Sequence, residues 1–131
     1  MGQAAAKQGD RIQATDTHFV IVPGAPPTVL ALQHAFDGRL AGGLSADVRI
    51  MGRPAATVDS SADNAPVHIP APPGTAFQKP PSNRGSVLAG SPTVRINRKP
   101  AARHGDAART CNDPADVPLG RVVASGSVRF G

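Results

Sequence analysis

The chain has 131 residues, enough for one domain and short for two. With 14 Gly, 14 Pro, four Phe and no Trp or Tyr it cannot build a thick aromatic core, and its single cysteine, Cys111, excludes an internal disulfide. The formal net charge of +5 is spread along the chain, and the aromatic platforms that single-strand binders need are nearly missing, so nucleic-acid binding is not expected.

Taken from its start, the chain opens without the apolar core of a signal peptide. No later segment approaches the ~20 apolar residues of a membrane span. These features predict synthesis in the cytoplasm and, for an exported protein, a route that needs no signal peptide. Residues 4–10 read A-A-A-K-Q-G-D, and His18 follows eight residues after Asp10. Residues 19–43 read as a linker, expected as an ordered loop or an extended strand draped on the molecule. Its best helical window, Pro27 to Phe36, is weak and allows a turn or short helical excursion.

Residues 44–56 read LSADVRIMGRPAA, and residues 90–102 read GSPTVRINRKPAA. Aligned, Val48, Arg49, Ile50, Pro54, Ala55 and Ala56 fall on Val94, Arg95, Ile96, Pro100, Ala101 and Ala102, an internal repeat. Between the copies, residues 64–85 form a second, Pro-rich linker, for which loops, draped strands and, over 70–84, disorder are all compatible with composition. Residues 100–106, P-A-A-R-H-G-D, restate the opening segment. The closing Gly126-Ser127-Val128-Arg129-Phe130 restates the first half of the unit. The chain therefore divides into a half-repeat at 4–18, repeats at 44–68 and 90–111, and a half-repeat at 125–130, all in one domain over 1–131. Each V-R-I/F triplet alternates apolar, charged, apolar, the mark of a short strand with one buried face and Arg49, Arg95 or Arg129 outward. Met51-Gly52-Arg53-Pro54 and Asn97-Arg98-Lys99-Pro100 read as tight connections. The expected class is all-β, with pseudo-threefold repeats and long Pro/Gly-rich loops.

The repeat also sorts the soft ligands. With Asp10, Ser60 and Asp106 equivalent, His18 and His68 each follow eight residues later, and Cys111 follows five residues later. Equivalent positions in a three-sided molecule converge near its axis, so one ion there takes a donor from each side. His34, in the first linker, is the candidate fourth donor, with His104 as its substitute. His104 aligns with Gln8 and Val58, which are not ligands, and so reads as a surface or packing residue. A His3Cys set suits zinc, and a closed set of four is structural rather than catalytic. A competing reading makes Cys111 a nucleophile with His104 and Asp106, which predicts a cleft and a depressed thiol pKa.

Pro100-Ala101-Ala102-Arg103, set between a GSPTV strand and a GD turn, resembles the motif of the PAAR proteins. The first copy is degenerate, with Thr57 in place of the motif's Arg, and Arg98 stands where the family's turn has Gly. The resemblance runs from Ala4 to Phe130. It implies a small conical, three-sided β-helical or β-prism fold that caps a trimeric β-helical spike protein of the VgrG kind in type VI secretion systems and related phage-tail-like particles. It implies one structural zinc near the apex, held by three His and one Cys, here His18, His34, His68 and Cys111. It further implies a non-enzymatic tip exported as part of the injection particle and making transient contact with the target membrane. The segments around Val67–Pro70, Pro80–Gly85 and Thr110–Pro114 look most like tips of extracellular contractile injection systems. Many relatives carry a fused toxin; here the repeats run nearly end to end, so any effector cargo is expected to be a separate molecule.

Overall fold

The computed structural model describes residues 2–131; Met1 lies outside the described residues. Thirteen strands follow in chain order: β1 (Gln3–Ala4), β2 (Arg11–Val22), β3 (Thr28–Gly42), β4 (Arg49–Ile50), β5 (Arg53–Pro54), β6 (Ser61–Asn64), β7 (Ala76–Phe77), β8 (Arg84–Val87), β9 (Arg95–Ile96), β10 (Lys99–Pro100), β11 (Ala107–Thr110), β12 (Val117–Val123) and β13 (Arg129–Phe130). There is no helix among the described residues, and the chain is all-β.

The V-R-I/F triplets build the first layer as three small ladders. β4 pairs with β5 and β9 with β10, and the third ladder is closed by the first and last strands, β1 and β13, with Gln3 opposite Phe130. The two continuous hairpins turn through residues of positive φ, Met51 (53°) and Gly52 (83°) in one, Asn97 (52°) and Arg98 (70°) in the other. Positive φ at both central residues is the type I′ pattern, whose twist matches that of the flanking strands. The outward arginines close each ladder alike. Arg49 donates to the Gly52 carbonyl at 3.2 Å, Arg95 to the Arg98 carbonyl at 3.2 Å and Arg129 to the Gly2 carbonyl at 3.1 Å. Ile50, Ile96, Ala5, Ala55 and Ala101 pack into one apolar cluster beneath these ladders.

The second layer is a ring. The Ala6 N–H donates to the Ala102 carbonyl, Ala102 to Ala56 and Ala56 to Ala6, each at 3.0 Å. All three alanines are fully buried, so nothing larger than a methyl group points at the axis. The next turns repeat as faithfully. The side chains of Asp10, Ser60 and Asp106 accept from the N–H of Lys7, Thr57 and Arg103, three residues back in each case. Gly9, Asp59 and Gly105, just before those residues, have φ of 89°, 76° and 87°. Glycine meets that conformation without strain in two of the copies.

Past the turns, β12, β11, β8, β6, β3 and β2 pair in that order, and a β12–β2 pairing closes them into a ring with β7 added on β2. Closure leaves few open edges. Ile12, Phe36, Leu40, Val87 and Val122 fill the ring above the alanines. The first linker takes the extended-strand alternative, not the loop or the short helical turn. It completes a long hairpin in which β2 and β3 pair continuously from Arg11 opposite Arg39 to Val22 opposite Thr28. From Thr28 on, the Pro27–Phe36 window is strand because alternation decides it: His34, Phe36 and Leu40 face inward while Ala35 and Arg39 between them face out. Pairing with the β-branched strand β2 overrides the helix preference of Leu and Ala. The second linker is an irregular path with its own ladder, β7, which pairs with Val20 and Ile21.

Candidate metal centre

Strand periodicity aims the first donors. On β2 the even positions Ile12, Asp16, His18 and Val20 are buried, so Asp16 and His18 lie side by side on the inner face. His34 is the cross-strand partner of Asp16, and it too faces inward. His68 arrives from the irregular segment after β6. Asn83, at a φ of 56°, holds it there: the Asn83 side-chain oxygen accepts the His68 N–H at 2.8 Å and an Asn64 amide N–H at 3.3 Å. Cys111 follows β11. Its neighbours Asn112 and Asp113 dock on β2, where Asn112 accepts the Thr17 N–H at 2.7 Å and Asp113 accepts the Phe19 N–H at 3.0 Å.

Three imidazole rings therefore meet. The centroids of His18 and His68 are 5.0 Å apart, and His34 lies 5.5 Å from each. The Cys111 sulfur is 3.7 Å from His18 Nε2 and 3.5 Å from Asp16 Oδ2, and His68 Nε2 is 2.9 Å from the same oxygen. All five residues are buried. Asp16, His18, His68 and Cys111 each offer one ligand atom, all within 4.8 Å of one another, and could hold a metal ion. The donor set fits zinc. Tetrahedral bonds of ~2.0–2.3 Å place N and O donors roughly 3.3 Å apart and S and N donors about 3.6 Å apart, close to the spacings found. His104 is elsewhere. It is exposed, and its Nδ1 accepts the Ala124 N–H at 3.1 Å.

The electrostatics follow from burial. Burial, and then the neighbouring His68, lowers the pKa of His18, while Asp113 beside Nδ1 at 3.4 Å opposes the shift. That carboxylate orients the ring so that Nε2 faces the cluster, a familiar outer-shell arrangement for a ligating histidine. Burial, with Asp16 adding to it, pushes the Cys111 thiol up to about 11. This is the opposite of the depressed value that a nucleophilic cysteine needs. Asp106, the other partner in that reading, is instead bound to Arg103 at 2.8 Å. Sequence reasoning missed Asp16, Asp113, Asn64 and Asn83. A D-x-H spacing on a strand puts both side chains on one face, so Asp16 was within reach of the pattern; the others depend on loop paths that no periodicity marks.

The family model of the PAAR motif matches residues 78–130. Residues 78–130 thus carry a PAAR motif, and the all-β architecture is consistent with a PAAR-repeat protein. No curated protein matches the sequence at a significant level.

Proposed function

We propose that this protein is the tip of a spike in a contractile injection system, seated on a trimeric β-helical spike protein and acting mechanically rather than as an enzyme. The observation that carries this reading is the threefold base. Three equivalent ladders surround an alanine ring whose hydrogen bonds circulate through one chain, so a single polypeptide offers a nearly threefold face. A trimeric partner requires such a face. The far end is different on each side and is gathered by the buried His/Cys/Asp cluster. There the metal is zinc, with His18, His68 and Cys111 as donors and His34 as the fourth that the resemblance implies. A bound structural zinc adds its binding energy to folding, which offsets a core built largely of alanine. In this reading the tip leaves the cell with its particle and touches the target membrane in passing.

Elemental analysis of the purified protein beside Cys111→Ser tests the metal. About one zinc per chain is expected in the parent, with metal loss and a lower melting temperature in the variant; equal stability and no metal in either would defeat the zinc. Co-purification with the trimeric spike protein of the same particle tests the seat. A protein that passes through a spike-loaded column unretained, while correctly folded, is not its cap.

A further inference from the structure

We propose that the layer of three ladders is a cationic docking face, that its partner is a threefold protein surface edged with carboxylates, and that Arg98 is one of the contact residues. This rests on the spike-tip reading above and names the chemistry of that seat.

The excess charge is spread along the sequence, but the fold gathers it. The ladder segments 44–54, 90–100 and 125–131 hold six of the 14 basic residues, Arg49, Arg53, Arg95, Arg98, Lys99 and Arg129, and one of the nine acidic residues, Asp47. They therefore carry +5, the whole formal excess of the chain, while the remaining residues hold eight charges of each sign. Strand alternation keeps Ile50 and Ile96 inside, and all six cations are exposed. Elsewhere basic groups are neutralised locally: Lys7 by Asp10 at 3.0 Å, Arg11 by Asp37 at 2.6 Å, Arg84 by Asp63 at 3.2 Å and Arg103 by Asp106 at 2.8 Å. Among the described residues no carboxylate pairs with any of the five ladder arginines. Asp47 accepts instead from the Asn97 amide at 2.9 Å.

Unpaired like charges gathered on one face repel, which works against the free protein. Arg98 adds a backbone cost, with a φ of 70°. A strained residue that carries an exposed, unpartnered guanidinium is accounted for by a contact made outside the chain. Arginine supplies five of the six cations, and its planar fork takes a carboxylate through two parallel bonds. Arg49, Arg95 and Arg129 are each tethered through one N–H to a carbonyl of their own ladder, at 3.2, 3.2 and 3.1 Å. The rest of each guanidinium is left free at three equivalent places, pre-positioned for a partner with the same symmetry. Anionic lipid is held instead by mobile polybasic segments or amphipathic helices. This layer has neither: it is made of paired two-residue strands.

Binding of the purified protein to the immobilised spike trimer of the same particle, measured across salt, tests this. Affinity should fall at least about tenfold between roughly 0.05 and 0.3 M NaCl. Arg98→Gly should weaken binding about threefold or more, although it relieves the strained turn, so that the loss cannot come from misfolding. Lys79→Ala, which removes a cation outside the ladders, should change affinity by less than about twofold. Binding that ignores both salt and Arg98 overturns the proposal and leaves the cap intact. A folded protein that the trimer never holds sinks the cap and this face together. Tighter uptake by phosphatidylcholine vesicles containing about a third phosphatidylserine than by the trimer also overturns it, because the occupant is then lipid.

Discussion

The Cys111 thiol sits among buried groups that hold its proton on, at a pKa of about 11. Zinc takes the thiolate, so that proton must leave when the ion binds. His18, shifted downward from 6.5, adds no proton of its own at neutral pH. One proton is therefore released per ion from pH 7 to 9, and zinc affinity should rise about tenfold per pH unit. Chelator competition at pH 7, 8 and 9 checks this, and a flat profile refutes it. The metal-free protein behaves in the opposite sense. Its folded state keeps the Cys111 proton above the ordinary thiol value of 9.0, so stability is full below pH 9 and falls as pH climbs toward 11. Melting temperatures under chelator should show that decline, and Cys111→Ser should remove it. His18, His68 and Cys111 were legible in the sequence because each follows an equivalent turn of the repeat. The buried acid was not, because the search for soft ligands passed over a hard one two residues from His18.

Among the elements, the short ladders were the most legible part of the fold. V-R-I/F alternation and the Gly, Asn and Pro flanks define both strand and turn at a range of a few residues. The weakest copy of the turn is also visible there. Arg98 takes a φ of 70° where a glycine would be unstrained, and among the described residues its side chain makes no hydrogen bond that would offset the cost. An L-residue in that region costs about 1–2 kcal/mol, part of which glycine returns as chain entropy. Arg98→Gly should therefore stabilise the protein by a few tenths to about 1 kcal/mol, read as a rise in denaturant midpoint at constant m-value. The long hairpin of β2 and β3 was not legible in the same way. Residues 28–36 contain Leu and Ala, which serve either structure, and only pairing with β2, from Val22 opposite Thr28 to Ala14 opposite Phe36, decides between them. The second linker has no repeating pattern at all. Its path is set by single hydrogen bonds, such as Asn83 to His68, that leave no trace in composition.

At the scale of the molecule, the most constrained feature is the alanine ring. Ala6, Ala56 and Ala102 are each at 0% exposure, and the backbone bonds that join them leave no room to move apart. Ala56→Leu should cost about 1–3 kcal/mol or more by overpacking, lowering the melting temperature even with the distant metal centre saturated. If the variant melts like the parent, the ring is looser than its geometry states. The repeat made this ring foreseeable as a convergence of three turns, although its circulating hydrogen bonds needed the backbone itself.

The likeness of the three ladders has one more effect. On a partner of true threefold symmetry, the base fits in three azimuths 120° apart, and only small differences between Met51, Arg98 and the paired chain ends tell them apart. The far side has no such symmetry: the long hairpin of β2 and β3 has no counterpart in the other copies. If the protein caps such a partner, an image averaged over assembled particles would sharpen the three ladders while smearing the long hairpin.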